Sequence, residues 1–191
     1  MNAIFLDRDG VLVEDNGCVK TPSELTLLSG VSEALISLKA AGYLLVLVTN
    51  QAVVARGLIT EAQLTHIHEE MQKMLIAVGS PYLDAIYACP HHPNATDLAY
   101  RQICECRKPN PGLLFAAAQE YQIDLSQSFM IGDRISDVIA GQSAGCQTVL
   151  VTTGQHLAPP IESGSPIKSD VTADYVCANL LEAADWILRK R

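Results

Sequence analysis

Two carboxylates, one residue apart, follow an apolar run near the start of the chain. Asp7 and Asp9 come directly after Ile4–Leu6, with a glycine at position 10. Two like charges this close at the end of a buried strand are unfavourable unless a cation lies between them or their pKa values separate. Carboxylate oxygens are ligands of Mg²⁺, the usual cation where a phosphate is handled. The pair therefore predicts a functional site, and the alternative is a solvated acidic turn.

Short β-rich runs alternate with helical patterns along the rest of the chain. The predicted strands are Ala3–Leu6, Leu44–Val48, Ala85–Ala88, Phe129–Ile131, Thr148–Val151 and Tyr175–Cys177. The predicted helices lie near Val31–Ala41, Thr60–Val78, Pro111–Tyr121, Ser136–Ala144 and Leu180–Arg189, and a loop at 159–166 precedes the last strand. This order predicts an α/β fold, namely a doubly wound, mostly parallel Rossmann-like sheet with helices on both faces.

The longest predicted helix carries a start signal and an apolar stripe. Thr60 and Gln63 form a capping box. His66 and His68 are two positions apart and point away from each other, so we expect them to face solvent rather than bind a metal together. The residues that form the stripe are Leu64, Ile67, Met71, Met74, Leu75 and Val78.

Polar residues follow three of the predicted strands. Asp7, Thr49 and Asp133 each come shortly after an apolar run. Ligands of open α/β sheets bind beyond the carboxyl ends of the strands, so we expect these residues to meet at one edge of the sheet. If the extended conformation continues past Leu6, Asp7 and Asp9 point to the same side.

These residues belong to four motifs that together resemble those of the haloacid-dehalogenase phosphohydrolases. The resemblance is specific because the motifs occur in the family's order, each at a predicted strand end or helix start. It implies a Mg²⁺-dependent phosphatase that works through an aspartyl-phosphate. The four motifs are Asp7-Arg8-Asp9-Gly10, Thr49, Lys108 and Gly132-Asp133-Arg134-Ile135-Ser136-Asp137.

The resemblance also implies a role for each catalytic residue. Asp7 attacks phosphorus, and Asp9 protonates the leaving alcohol and then deprotonates the hydrolytic water. Thr49 and Lys108 hold the other phosphoryl oxygens. Mg²⁺ is held by the Asp7 carboxylate, the main-chain carbonyl of Asp9 and Asp133. Asp137 supports the metal site through water or through Lys108 rather than as a direct ligand.

Three cysteines and two histidines cluster between the third predicted strand and the third predicted helix. Cys89-x-His91 with Cys104-x-Cys106 gives a Cys₃His set, the composition of closed structural zinc sites. His92 is the weaker histidine, because the spacing of Cys89 and His91 points both the same way. The alternatives are unrelated buried cysteines or a disulfide, which a reducing compartment disfavours. We expect one structural Zn²⁺ in a loop at about residues 89–108.

The cysteine cluster resembles one branch of the same superfamily, from Ile4 to about Thr153. This branch comprises the D-glycero-D-manno-heptose 1,7-bisphosphate 7-phosphatases and the related histidinol-phosphate phosphatases, which lack a large cap domain. The resemblance implies that the zinc loop shapes the substrate pocket and places Arg107 for substrate recognition. Arg56 and Arg134 add positive charge. The other substrate-contacting residues that the resemblance implies are Asp15, Asn16, Gly17, Cys18, Asn50, Gln51 and Ala52.

Two loops depart from the pattern of this branch, and they bear on the substrate. Cys18 stands where a tyrosine is common, and Ala52-Val53 stand where serine and glycine are common. The mechanism is unaffected, but the wall of the substrate pocket differs.

The first choice of function is hydrolysis of the C7 phosphate of D-glycero-D-manno-heptose 1,7-bisphosphate, in the biosynthesis of nucleotide-activated heptose. The alternatives are histidinol phosphate or another small phosphate monoester, and, as a different class, an inactive phospholigand-binding module.

Composition narrows the class of protein and its partners. The chain has 191 residues, of which 49% are hydrophobic and 18% charged, which fits one globular domain over 1–191. A net charge of −8 argues against nucleic-acid and membrane partners, since both are polyanions. No signal peptide or membrane-spanning run is visible, so we expect a cytoplasmic monomer that acts on a small phosphorylated sugar.

Overall fold

The fold is a six-stranded sheet with helices on both sides, seen in a computed structural model that describes residues 1–154 and 171–190. The loop predicted at 159–166 lies outside the described residues. The strands are β1 (Ala3–Leu6), β2 (Leu44–Asn50), β3 (Ala85–Cys89), β4 (Phe129–Gly132), β5 (Gln147–Val151) and β6 (Tyr175–Cys177). The helices are α1 (Val31–Ala40), α2 (Glu61–Ala77), α3 (Gly112–Tyr121), α4 (Ile135–Ala144) and α5 (Leu180–Arg189).

The strand order is β3-β2-β1-β4-β5-β6, and every described pair is parallel, so the sheet is wholly rather than mostly parallel. β1 lies between β2 and β4, with Leu6 in register with Leu47 on one side and Ile131 on the other. The three strands that carry the predicted catalytic residues are therefore neighbours. β3, which leads into the cysteine cluster, is an edge strand.

Both faces of the sheet are covered, as the apolar strands predict. On one face, Ile4 and Leu6 belong to a buried cluster with side chains of α1, α2 and α5. On the other face, Ala3 and Phe5 belong to a cluster with side chains of α3 and α4. Alternate residues of β1 thus serve two cores, which is why β1 contains no polar residue.

The stripe predicted for α2 is correct over most of its length. Thr60 and Gln63 form the expected capping box. Val78 follows the last helical residue and is 55% exposed, so its assignment to the stripe was wrong. The prediction that His66 and His68 both face solvent is wrong for His68. His66 is exposed, whereas His68 is 5% exposed. His68 follows Ile67 on the buried face, so its position on the helix outweighed its polarity.

Two long connections follow β1 and β3. In the part of the chain that is described, neither folds into a separate cap domain. Residues 7–30 contain one short 3₁₀ turn at Pro22–Glu24, and residues 90–111 contain no helix or strand. The second connection is tied to the body of the protein, because Tyr100 donates from Oη to Glu61 and the Asp97 amide donates to the Ala55 carbonyl. Among the described helices, none combines the length and apolar character needed to cross a bilayer.

Candidate active site

Carboxylates from β1, β4 and α4 meet at the carboxyl end of the sheet. Asp7, Asp133 and Asp137 each offer an oxygen within 4.8 Å of the others, and at most 8% of any of these residues is exposed. Asp7 is held here because its amide donates to the Ile131 carbonyl of β4. A buried cluster of hard oxygen donors fits a divalent cation such as Mg²⁺. Asp9, which was expected to contribute a carbonyl rather than its carboxylate, has its carboxylate outside this group.

Lys108 supplies the positive charge inside this cluster. Its Nζ lies 2.6 Å from Asp137 Oδ1 and 3.0 Å from Asp7 Oδ1, and it donates to the Val48 carbonyl at 2.8 Å. Burial lowers the pKa of Lys108, but the facing carboxylates of Asp137 and Asp7 more than offset this, so its pKa lies above the ordinary value. Burial raises the pKa of Asp137, and the attraction of Lys108 only partly opposes it. The ammonium is therefore a fixed cation.

Asn50 holds the main chain that carries this lysine. Its side-chain amide donates to the Lys108 carbonyl at 2.9 Å, and its Oδ1 accepts from the Lys108 amide at 3.0 Å. Both ends of the Asn50 side-chain amide therefore contact the main chain of Lys108, and the expected contact of Asn50 with substrate stays a prediction. β2 continues through Asn50, so Thr49 lies within the strand rather than beyond it, and Thr49 is 1% exposed.

Asp9 belongs to a second polar cluster that the sequence interpretation missed. The extended conformation does not continue past β1, because the amides of Leu12 and Val13 turn back onto the Arg8 carbonyl. Arg8 is fully buried and donates to both carboxylate oxygens of Asp9, from Nε at 3.1 Å and from Nη2 at 3.0 Å. Burial raises the pKa of Asp9, while the charge of Arg8 partly opposes the shift.

Gln51 links this second cluster to Thr49. Its Nε2 donates to Asp9 Oδ2 at 3.0 Å and to Thr49 Oγ1 at 2.9 Å, and its Oε1 accepts from Arg8 Nη2 at 2.9 Å. Gln51 was expected to contact substrate. Every polar group of its side chain has a protein partner, so Gln51 connects Asp9 with Thr49, and its contact with substrate stays a prediction.

His68 approaches Arg8 from the opposite side. Its Nε2 lies 3.3 Å from Arg8 Nη1. Burial, with a smaller contribution from the positive charge of Arg8, lowers the pKa of His68 to about 3, so the ring is neutral at physiological pH. Two signals in the sequence point to this pair: Arg8 lies between two acidic residues after a buried strand, and His68 lies on the apolar face of α2.

The predicted substrate-contacting residues lie on loops that arginines connect. Arg134 donates to Asp15 Oδ2 at 3.1 Å, and Asp15 Oδ1 accepts from the Gly17 amide. Arg56 donates to Cys18 Sγ at 3.1 Å. Of the other predicted contacts, Asn16 and Gly17 are exposed and Ala52 is half-buried, and their contact with substrate stays a prediction.

The four predicted zinc ligands come together as one group, whose ligand atoms all lie within 4.8 Å of one another. The Sγ atoms of Cys89, Cys104 and Cys106 are 3.1–3.5 Å apart, and His91 Nδ1 is 3.3 Å from Cys106 Sγ. A disulfide needs about 2.05 Å, whereas sulfurs bound tetrahedrally to Zn²⁺ lie about 3.8 Å apart. The spacing therefore fits a shared metal far better than a disulfide. His92 accepts from the Asn94 amide and is not in the group.

The cysteine group also favours an anionic sulfur. Hydrogen bonding from Cys89, together with smaller contributions from Cys104 and His91, lowers the pKa of Cys106 to about 5 despite its burial. A thiolate is the form that binds a metal. Arg107 follows directly, and its guanidinium donates to the His91 carbonyl at 3.1 Å. The group and the adjacent Arg107-Lys108 segment are therefore mechanically connected.

Gly10 leaves the space that the Asp133 carboxylate occupies, so Gly10→Ala is expected to destabilise the protein. Gly10 has φ +76°, and an added Cβ would lie 2.6 Å from Asp133 Oδ2. The left-handed conformation alone costs a non-glycine residue about 1–2 kcal/mol. Urea denaturation should show a larger loss than for the control Gly42→Ala, which has φ +87° and nothing within 4 Å of the added Cβ. Equal losses would contradict the packing of Asp133 against Gly10.

Comparisons with known proteins agree with this geometry. Residues 105–183 match the HAD-hydrolase-like family. The D-glycero-beta-D-manno-heptose-1,7-bisphosphate 7-phosphatase of Photorhabdus laumondii is 44% identical over 90% of this chain and 92% of that protein. The enzyme of the same name from Escherichia coli K12 is 41% identical over 97% of this chain and 87% of its own. The crystal structure of D,D-heptose 1,7-bisphosphate phosphatase from B. bronchiseptica, complexed with magnesium and phosphate, superposes with a TM-score of 0.82 at 37% identity over all of both chains.

Proposed function

The chain belongs to the heptose-1,7-bisphosphate 7-phosphatases of the HAD-like hydrolases, and from this membership we propose that it hydrolyses the C7 phosphate of D-glycero-D-manno-heptose 1,7-bisphosphate. The observation that carries the proposal is the cluster at the end of β1. A carboxylate, Asp7, lies there beside a buried ammonium and two further carboxylates. This is the arrangement that phosphoryl transfer to a carboxylate requires.

We assign Mg²⁺ to the carboxylates of Asp7 and Asp133, with the main-chain carbonyl of Asp9 as a third ligand. The buried oxygen donors fit the ion, and the similar structure from B. bronchiseptica contains magnesium and phosphate. When bound, the ion neutralises charge repulsion between the carboxylates and the phosphate dianion. Asp137 is 2.6 Å from Lys108, which supports its role in positioning the lysine rather than in binding the ion directly.

Asp7 is the nucleophile in this mechanism. Its carboxylate oxygen attacks phosphorus, the bond from phosphorus to the C7 oxygen breaks, and that oxygen takes a proton from Asp9. Water then attacks phosphorus as Asp9 takes back a proton, and the bond to Asp7 breaks to release phosphate. Lys108 and the Thr49 hydroxyl hold the remaining phosphoryl oxygens, on which negative charge shifts during the transfer.

The contacts of Asp9 indicate which of its oxygens carries the proton. An ionised carboxylate has about four acceptor sites. Asp9 Oδ2 accepts from Arg8 and from Gln51, whereas Oδ1 accepts from Arg8 alone among the described residues. Oδ1 therefore keeps one site for a proton while Arg8 still grips both oxygens. Burial raises the pKa of Asp9, which favours the protonated form that the first step needs.

We assign a structural Zn²⁺ to Cys89, His91, Cys104 and Cys106. All four tetrahedral positions are then filled by protein, so no position is left for catalysis at this metal. The connection at 90–111 buries little apolar side chain of its own, and a metal would provide the order that a core cannot. The function of this Zn²⁺ is to hold Arg107 and Lys108 in position relative to the carboxylate cluster.

The proposed function is tested by following the hydrolysis of the heptose bisphosphate with ³¹P NMR in the presence of Mg²⁺. We expect the C7 resonance to be replaced by inorganic phosphate while the C1 resonance persists. Parallel reactions with histidinol phosphate and fructose 1,6-bisphosphate test the other small phosphate esters. A higher kcat/KM for either would replace the assigned substrate. Binding of the bisphosphate without release of phosphate would instead indicate a phospholigand-binding module.

Arg107→Ala is expected to raise KM for the bisphosphate about tenfold while changing kcat little. Arg107 is half-buried beside the zinc loop, and no step of the chemistry uses it, so we assign it to the second phosphate of the substrate. A charge-assisted hydrogen bond of this kind contributes about 1.5–3 kcal/mol. Steady-state kinetics should show a smaller rise in KM for a sugar monophosphate. Equal rises for both substrates would favour a monoester as the true substrate.

We further propose that two arginines border the substrate: Arg134, which donates to Asp15, and Arg56, which donates to Cys18.

We also propose that the enzyme acts as a monomer in the cytoplasm. Sedimentation equilibrium of the purified protein would test the oligomeric state.

A further inference from the structure

We propose that His68 is a positioning residue of the active site, whose Nε2 accepts from Arg8 and so holds the guanidinium in the orientation that grips both oxygens of Asp9. The inference rests on the proposed function, in which Asp9 is the proton donor. It concerns a residue in the middle of α2 that touches neither the carboxylate cluster nor the cysteine group in the described part of the chain.

The requirement for an acceptor at this point follows from the burial of Arg8. A guanidinium has five N–H groups and no acceptor, and a charged group that is buried with an unmade hydrogen bond is costly. Arg8 Nε and Nη2 are directed to Asp9 and Gln51. The partner found on Nη1 is His68, at 3.3 Å. His68 thus occupies the one side of the guanidinium that Asp9 and Gln51 do not reach.

The chemistry of this contact fixes the tautomer of His68. Because arginine can only donate, Nε2 must provide the lone pair, and the single ring proton of a neutral imidazole must lie on Nδ1. A proton on Nε2 would place two donors against each other. Removing the imidazole would leave Nη1 without its acceptor and would let the guanidinium rotate away from Asp9.

A rotation of the Arg8 guanidinium would mainly slow proton transfer from Asp9 to the leaving group. The free site of Asp9 Oδ1 depends on the two-point grip by Arg8, and a general acid contributes about 10²–10⁴-fold only when it is aligned with the leaving oxygen. Asp7 and Lys108 are held by other contacts, at the Ile131 and Val48 carbonyls. The position of His68 therefore affects departure of a leaving group that needs a proton, and leaves the nucleophile in place.

Substitution at residue 68 can be accommodated, because His68 also borders a cavity of about 340 Å³ between α2 and β3. The cavity walls include the apolar residues Leu64, Ile86 and Ala88 beside polar residues of α2, so a leucine at position 68 has both space and apolar neighbours on part of this surface. His68→Leu removes the acceptor and keeps the volume, whereas His68→Gln offers an amide oxygen to Arg8. His66→Leu is the matched control, since His66 lies two residues before His68, on the exposed side of the same helix.

The test compares two esters that differ in their need for a general acid. The heptose bisphosphate releases an alkoxide that must be protonated, whereas 4-nitrophenyl phosphate releases a stable phenolate. For His68→Leu we expect kcat/KM to fall about tenfold or more with the first ester and less than about threefold with the second, with KM little changed. His68→Gln should restore most of the loss, and His66→Leu should resemble the wild type. Equal losses with both esters, or no loss with either, would overturn the inference.

Asp9→Asn, assayed with the same two esters, separates this inference from the proposed function. A dependence on the leaving group means that kcat/KM falls more with the heptose bisphosphate than with 4-nitrophenyl phosphate. If Asp9→Asn shows this dependence and His68→Leu does not, only the inference about His68 is wrong. If Asp9→Asn shows no such dependence, the assignment of Asp9 as the acid is wrong.

A measurement on the unmodified protein keeps the inference testable if His68→Leu fails to fold. In ¹H–¹⁵N spectra of histidine-labelled protein at neutral pH, we expect the His68 ring to carry its proton on Nδ1 and to leave Nε2 unprotonated. The His68→Gln spectrum identifies the resonance by its disappearance. A cationic ring or a proton on Nε2 would contradict the contact with Arg8.

Discussion

Asp7→Asn is expected to abolish phosphate release, with kcat reduced on the order of 10⁵-fold or more. An amide has no anionic oxygen with which to attack phosphorus, and it cannot form the acyl phosphate. Asp185→Asn is the matched control, because Asp185 is exposed on α5 and takes no part in the cluster. Near-normal phosphate release by a folded Asp7→Asn protein would overturn the mechanism.

The same substitution should leave the metal-free protein at least as stable as the wild type. Asp7 shares its site with Asp133 and Asp137, and its charge helps to raise the pKa of Asp137. Lys108 keeps its 2.6 Å contact with Asp137 when Asp7 becomes neutral, so the relief of repulsion is not offset by an orphaned cation. A melting temperature equal to or above that of the wild type would separate lost chemistry from lost folding.

Asp9→Asn should retain Mg²⁺ binding, because the assigned ligand is the main-chain carbonyl of Asp9. Equal loss of Mg²⁺ binding by Asp7→Asn and Asp9→Asn would show that the roles of Asp7 and Asp9 are misassigned.

Cys104→Ser is expected to lose Zn²⁺ and most activity while keeping its helix and strand content by circular dichroism. The cysteine group lies beyond β3 at one edge of the sheet, whereas Asp7 and Asp133 follow central strands that are packed on both faces. Loss of the metal should loosen residues 90–107 and displace Lys108 from Asp7. A displacement of about 1 Å can cost on the order of 10²-fold in rate.

Cys177→Ser is the matched control for this variant. Cys177 lies on β6, at the opposite edge of the sheet, where its thiol donates to the Asn179 carbonyl and a hydroxyl can do the same. Elemental analysis should find one zinc per chain in the wild type and in Cys177→Ser, and none in Cys104→Ser. The absence of zinc from unchelated wild-type protein would defeat the assignment, and so would full activity in a verified zinc-free form.

The fold was predictable from the sequence because each strand is mostly apolar, and the strands alternate with helical patterns along the chain. Residues of β1 alternate between two cores, so the whole strand is apolar and its end is visible as a change of composition at Asp7. The same change marks Asp133. Because parallel strands end at one edge, the meeting of these residues followed from topology without any knowledge of side-chain contacts.

The supporting contacts were not predictable in the same way. Asn50 is the last residue of β2 and Gln51 follows it, and nothing in residue type distinguishes an amide that faces substrate from one that holds Lys108 or Asp9. Arg8 is a charged residue that becomes fully buried only because its partners come from β2 and α2, which are distant in sequence. Periodicity can place His68 on the buried face of α2, but its pairing with Arg8 depends on three-dimensional packing.

The position of the strands in the sheet divides the enzyme into parts that tolerate change to different degrees. Asp7 and Asp133 follow strands with a neighbour on each side, so the main chain that carries them is anchored by two strand pairs. The cysteine group follows an edge strand, and Cys18 and Ala52 lie on loops. We expect substitutions in the two loops to redirect the enzyme toward another phosphate ester while the reaction itself is retained, whereas the cysteine group must stay intact because it positions Lys108. A library confined to residues 15–18, 52–56 and 107 would therefore sample substrate range at little risk to catalysis.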